Sequence, residues 1–220
     1  MKVVLYGATG MVGGGVLLEC LDDPRVESLV VVGRRSCGVR RARVAEVLVE
    51  DLSDDRALRP HFSGVDACFF CLGVSSLGMS EAAYTRVTRD LTLAAARSLL
   101  DAGSRPVFCY VSGAGTDAEG RVMWARVKGR TENALRALPF PAAYMFRPAY
   151  IQPVRGVRSK TGWYQALYSL FGFSYPLLRR AFPSHVTSTA VLGRAMIRAA
   201  SERPPGSILE TRDINRLGIG

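Results

Sequence analysis

Three glycines spaced G-x-x-G-x-x-G (Gly7, Gly10 and Gly13) follow the apolar run Val3 to Tyr6 and precede a stretch of helical periodicity. That arrangement suits an anion. Gly7 permits a sharp exit from a strand, Gly10 lets the backbone approach a pyrophosphate, and Gly13 allows close helix–strand packing, while N–H groups at the helix start face the ligand. An ordinary glycine-rich turn lacks the strand before it and the helix after it. The residues expected to hold a dinucleotide here are Gly7, Thr9, Gly10, Met11, Val12 and Gly13. A second group bears on which dinucleotide. The run Ser28 to Val32 ends in Gly33-Arg34-Arg35, where a second strand of such a unit meets the adenosine ribose. An acid at that place would bond a 2′-hydroxyl, whereas Arg34 and Arg35 complement a 2′-phosphate, so NADP(H) is expected in preference to NAD(H).

The elements that must position these groups alternate along the chain. Val12, Val16, Leu17 and Leu21 share one helical face, and Asp22-Asp23-Pro24 stops that helix. Val44 to Glu50 reads as a third strand, followed by Asp51 and Leu52, which are expected to bound an adenine ring. Asp66 to Leu72 is apolar enough for a central parallel strand. It ends in Cys71, Leu72 and Gly73, where the backbone is expected to pass close to a cofactor. Tyr84, Val87, Leu91, Ala95 and Leu99 mark a long helix over 80–102. Pro106 to Val111 is a fifth strand, 122–138 a helix, and Phe140 to Phe146 a strand closed by Arg147-Pro148. This pattern predicts an α/β fold: a doubly wound parallel sheet, the Rossmann fold, with helices on both faces and ligands at the carboxyl ends of the strands. Beyond Tyr150 the rhythm breaks. Residues 151–186 read as an aromatic, lid-like segment suited to covering a substrate. Thr187 or Ser188 then caps a helix carrying Val191, Leu192, Ala195, Met196 and Ala199, and Ser207 to Glu210 reads as a last short strand.

Composition bounds the class. At 220 residues and 48% hydrophobic, 1–220 is expected to form a single domain. The formal charge of +10 is spread over scattered arginines, so a solvated surface with a local phosphate site is expected and a nucleic-acid role is disfavoured. Gly162 to Leu178 is broken by Gln165, Ser169, Gly172, Ser174 and Pro176, which argues against a membrane span. Five cysteines (Cys20, Cys37, Cys68, Cys71 and Cys109) fit a reducing compartment, and a cytoplasmic location is expected. Cys68-Phe-Phe-Cys71 matches C-x-x-C formally, but inside a strand it is not expected to act as a redox or metal pair, and no metal is expected.

Four motifs in order, Gly7-Ala-Thr-Gly-Met-Val-Gly13, Val111-Ser-Gly-Ala-Gly115, Val127-Lys-Gly-Arg-Thr-Glu132 and Arg147-Pro-Ala-Tyr-Ile151, resemble an atypical short-chain dehydrogenase/reductase. The resemblance is greatest to the branch that holds a Tat-interacting oxidoreductase-like protein and small bacterial NAD(P)-binding relatives, and it covers nearly the whole chain. It implies that Ser112 orients a substrate carbonyl and that Lys128 holds the nicotinamide ribose. It also implies that Pro148, Tyr150 and Ile151 lie near the nicotinamide. In that family a tyrosine four residues before the lysine moves the proton; here that position is Trp124. An indole N–H donates a hydrogen bond but does not ionise usefully, so Trp124 cannot serve as general acid or base. Thr88 is a second departure, at a place where many relatives carry an asparagine or aspartate.

Tyr150, Tyr164 and Tyr168 are the candidates for a replacement phenol; each is more often a packed aromatic, and His185 is more often structural. Two functions follow. The first is an NADP(H)-dependent oxidoreductase acting on a small carbonyl or alcohol. The second, favoured by Trp124, is a non-catalytic NADPH-sensing module that binds another protein. A protein partner and a homodimer both stay open.

Overall fold

The computed structural model describes residues 1–157, 182 and 184–219. Lys2–Tyr6 forms β1, and its side chains alternate between two apolar layers: Val3 and Leu5 enter one, Val4 and Tyr6 the other. The strand is apolar throughout because both its faces are covered. Met11–Asp22 is α1, Ser28–Gly33 β2, Val44–Leu48 β3 and Ala67–Phe70 β4. Val107–Val111 is β5 and Ala143–Arg147 is β6, while a short α2 covers Asp55–Leu58. With Ile208–Glu210, the sheet runs β3-β2-β1-β4-β5-β6 and then that last strand, and every pairing is parallel. The order reverses between β1 and β4, and a crevice opens there at the carboxyl edge.

Several elements depart from the sequence reading. The long helix over 80–102 is three segments: α3 at Glu81–Thr85, a π-helical turn at Arg86–Asp90, and α4 at Leu91–Asp101. A π-turn rotates the residues it contains away from a 3.6-residue stripe. Accordingly Thr88 is buried, whereas Val87, assigned to the apolar face from its spacing, is exposed. The strand read from Phe140 begins at Ala143, after Pro141 has removed a ladder donor. Met123–Arg136 forms α5.

Beyond Tyr150 a second, two-stranded sheet appears that periodicity did not reveal. It pairs Tyr150–Gln152 (β7) with Val186–Ser188 (β8) in parallel. Ser188 caps Thr189–Glu202 (α6) through a bond from the Val191 N–H to its hydroxyl. Ile208–Glu210 is then β9, and a helix that the sequence reading missed, Thr211–Ile219 (α7), follows it. Helices α1, α6 and α7 cover one face of the main sheet. Among the described residues no helix is long and apolar enough to cross a membrane. Most of the segment read as lid-like lies outside the described residues, with Tyr164 and Tyr168.

Candidate dinucleotide cleft and the β5 edge

The glycine loop closes on the neighbouring strand. Gly7 has φ +85°, a left-handed backbone conformation, and a Cβ there would stand 2.8 Å from the Cys71 carbonyl group and the Leu72 nitrogen. A Cβ at Gly13 would come within 2.1 Å of the Gly7 oxygen. Gly10 is the N-cap of α1, with no side chain capping it and no acid in the first turn. The first N–H groups of α1, those of Met11, Val12 and Gly13, therefore have no carbonyl one turn back and point out of the helix start. Anion binding suits such an end. Gly13→Ala is expected to destabilise the fold by about 1–3 kcal/mol through overpacking. Gly73→Ala, where a Cβ meets nothing within 4 Å, is expected to change stability by less than about 0.5 kcal/mol. Urea unfolding of the two variants checks both.

One cleft gathers Gly7, Thr9, Arg34, Arg35, Leu52 and Leu72, with Val32 and Gly33 behind them. An adjoining opening includes Gly10, Gly14 and Arg35. Arg34 and Arg35 are exposed and make no ion pair among the described residues. Asp51 immediately precedes Leu52 of this cleft. Its exposed carboxylate accepts from the Ser53 N–H and hydroxyl, which hold its pKa below the usual range. The thiols of Cys68 and Cys71 are driven up by burial, and the five cysteines are free.

The second group forms at the end of β5. Thr116 donates its hydroxyl hydrogen to the Gly113 carbonyl at 2.7 Å and lies 3.0 Å from the buried Ser112 hydroxyl. A carbonyl only accepts, so the Ser112 hydroxyl is left to donate to Thr116 and turns its lone pairs elsewhere. The Lys128 Nζ donates to the carbonyls of Val111 at 3.2 Å and Ser112 at 3.1 Å, and sits 5.5 Å from the Tyr110 ring centre. Desolvation lowers its pKa to about 8, and the Glu132 carboxylate one turn along α5 opposes that fall. The half-buried Trp124 lays its ring against the same loop, 3.7 Å from where a Cβ on Gly113 would stand and 3.9 Å from one on Gly115.

The structure thus brings Ser112, Trp124 and Lys128 together at one strand end, with Pro148 beside them, whose carbonyl accepts from the Ala114 N–H. Tyr150 and Ile151 belong to β7. The Tyr150 hydroxyl donates to Gln152 at 2.7 Å, and Ile151 packs against the core beside α1. His185 is exposed, its ring bonds its neighbour Ser184, and its carbonyl accepts from the Tyr150 N–H. Thr88 is buried beside Tyr84, whose phenol burial pushes up.

Two features were not read from the sequence. Thr116 sits four residues after Ser112, and nothing in a Gly-rich loop marks it. Glu132 and Arg147 each lie in a motif, but their pairing is tertiary. The Arg147 guanidinium grips the buried Glu132 carboxylate with bonds of 3.0 and 2.6 Å and also reaches Glu210 at 3.4 Å.

No protein-family model matches the chain. The protein FMP52, mitochondrial, of Eremothecium gossypii is 30% identical over 162 residues, covering 73% of this chain and 70% of that protein. HTATIP2 of Rattus norvegicus is 28% identical over 152 residues, covering 68% of this chain and 62% of that protein. The chain thus spans about two thirds of the length of these relatives. Among solved structures, a UDP-glucose 4-epimerase superposes with a TM-score of 0.68 at 16% identity, covering 98% of this chain and 80% of that one. Bordetella bronchiseptica WbmH, in complex with NAD+, gives 0.64 at 15% identity over 94% of this chain and 73% of its own. These neighbours share the doubly wound fold. The cytoplasmic expectation is corrected here, because the Fmp52 relatives are named mitochondrial proteins. Cysteine chemistry reports a reducing environment, and a reducing compartment need not be the cytosol. By the FMP52 match, and by the agreement of its four motifs with this fold, the chain belongs to the family of Fmp52 and HTATIP2, an atypical branch of the short-chain dehydrogenase/reductases.

Proposed function

We propose that the chain is an NADP(H)-dependent oxidoreductase acting on a small carbonyl or alcohol compound. One observation carries the cofactor choice: Arg34 and Arg35, without ion-pair partners among the described residues, line the same cleft as the glycine loop. The glycine loop fits a pyrophosphate in that it ends at the α1 N-terminus, where no side chain caps the free N–H groups and no acid stands in the first turn. When bound, a nicotinamide supplies or accepts the hydride. The chain's own groups do the rest. The α1 N-terminus faces the pyrophosphate, and the two arginines take the 2′-phosphate as charge-assisted donors. Lys128, with two of its three hydrogens on backbone carbonyls, keeps one for a ribose hydroxyl. Ser112 meets the substrate oxygen. With Thr116 holding the Ser112 hydrogen, the serine presents lone pairs, which suits a substrate hydroxyl; a carbonyl requires the hydrogen to turn from Thr116.

The test is a fluorescence titration of the intact chain with NADPH and NADH. Replacing both Arg34 and Arg35 by serine is expected to weaken NADPH by roughly 10- to 100-fold, the loss of charge-assisted bonds to one phosphate, and to leave NADH unchanged. Equal affinities for the two cofactors in the unaltered chain would refute the NADP preference.

A second reading has its own observation. Trp124 fills the place of the proton-moving phenol, so an NADPH-binding protein without turnover, signalling to a partner protein, is the alternative. The Trp124 experiment in the Discussion separates the two.

A further inference from the structure

The loop that carries Arg34 and Arg35 out of β2 is tied down by a side chain of the neighbouring strand. Glu46 stands on β3 opposite Val31 of β2. Its carboxylate accepts from the Ser36 hydroxyl at 2.8 Å and from the Cys37 N–H at 2.6 Å, one donor on each oxygen. The Ser36 hydroxyl in turn accepts from the Gly38 N–H at 3.0 Å, and Gly38 turns the chain with φ +75°. At the root of the loop the Gly33 carbonyl accepts from the Val49 N–H at 3.0 Å, just past the end of β3. Arg34 and Arg35 lie between these two anchors. The anchored residues border the cofactor cleft, because Ser36 and Cys37 line one opening with Thr9, Gly10 and Arg35.

A carboxylate beside this loop could work against a 2′-phosphate. Left free, it would bond a ribose 2′-hydroxyl, or pair with Arg34 or Arg35 and neutralise them. Glu46 is engaged otherwise. Both its oxygens are taken by neutral donors of the loop, and it enters no ion pair among the described residues. The Cys37 donors, and then the Ser36 hydroxyl, hold its pKa below the ordinary value. It therefore fixes the loop and leaves two guanidiniums without a counter-charge. Position matters to them, since a guanidinium binds a phosphate through directed pairs of N–H bonds.

We propose that Glu46 is a positioning residue for cofactor selection: by holding Ser36 and Cys37 it sets Arg34 and Arg35 toward the 2′-phosphate of NADP(H). The inference rests on the reading of these two arginines as the 2′-phosphate site. It gives β3 a share in a choice that the arginines after β2 do not make alone, and Glu46 acts in it only through the loop.

The experiment titrates the tryptophan fluorescence of the intact chain with NADPH and with NADH, at one ionic strength, for the parent, Glu46→Ala and Glu46→Gln. Glu46→Ala is expected to weaken NADPH by roughly 5- to 20-fold, part of the loss that removing the arginines themselves would bring, and to leave NADH unchanged. Glu46→Gln is expected to lose less, because its amide oxygen still accepts from one loop donor. Labelling of Cys37 by a disulfide reagent, followed by peptide mapping, is expected to quicken in Glu46→Ala as the loop loosens. NADPH affinity that is kept or raised in Glu46→Ala, an unchanged labelling rate, or an equal loss of both cofactors would each overturn this role and leave the parent's NADPH preference standing. Equal affinities in the parent would instead refute the cofactor reading, and this role with it.

Discussion

Trp124→Tyr is expected to raise NADPH-dependent reduction of a carbonyl substrate by roughly 10²- to 10⁴-fold, the usual contribution of a positioned general acid. The geometry is ready for it. Position 124 lies one helical turn before Lys128 on α5, and residues four apart share a helix face. The side chain there already rests on the loop that carries Ser112. A phenol in that place would stand near an ammonium whose pKa is about 8, and a neighbouring cation favours the phenolate. The indole offers no ionisable proton. The measurement is steady-state NADPH oxidation with a panel of small carbonyl compounds, comparing parent, Trp124→Tyr, and Trp124→Tyr with Ser112→Ala. Activity that appears with the tyrosine and is lost again with the alanine would mean that the catalytic frame is intact and that the natural chain lacks only its proton donor. Turnover absent in the parent and present only with the tyrosine would favour the sensor reading, whereas slow parent turnover that the tyrosine raises is what the oxidoreductase reading expects. Full activity in the parent, unchanged by the tyrosine, would mean that another group moves the proton and would sink the sensor reading.

The second large effect concerns stability. Arg147→Met is expected to cost about 3–5 kcal/mol, because it strands the Glu132 carboxylate in the interior. The side chain of Glu132 is 3% exposed, and Arg147 satisfies both of its oxygens. The pairing is also read from the arginine side: the bonds to Glu132 hold Arg147 above its ordinary pKa. A domain is stable by about 5–15 kcal/mol, so such a loss takes a large share of it. Combining Arg147→Met with Glu132→Leu removes both charges and is expected to recover most of the stability, since an apolar pair of similar volume often replaces a buried ion pair without loss. Chemical denaturation of the single and double variants measures it. A single variant within about 1 kcal/mol of the parent would show that water reaches Glu132 and that the pair is not a buried one.

The elements that could be read from the sequence are those whose signal is local. In β1 the apolar side chains divide between two layers and the glycines follow at once, so strand, turn and helix are written in a dozen residues. The alternation of strand and helix as far as Arg147 left few topologies, because parallel crossovers take one hand. Where a distant contact decides, the same reading fails. Val87 looked like a core residue by period, and the π-turn at Arg86–Asp90 turned it outward. β7 and β8 are three residues each and stabilise one another across a long separation in sequence, so neither shows a period of its own. Helix α7 is short and polar except for residues such as Ile214, fully buried in the core that α1 and α6 share.

The site divides in the same way. The sequence by itself determined that a glycine loop follows the first strand, that Arg34 and Arg35 end the second, and that tryptophan stands where a proton-moving tyrosine is expected. The first two follow from residue type and spacing, which need no partner, and the third from the resemblance that the four motifs carry. Only the tertiary structure decided what those residues meet. It set Arg34 and Arg35 in the cleft with the glycine loop. It fixed the Ser112 hydroxyl on Thr116, and it placed the Lys128 ammonium on two carbonyls at the end of β5. The physical reason is common to all of these: hydrogen bonds and burial join groups that are near in space and far apart in the chain, and residue spacing does not record their direction.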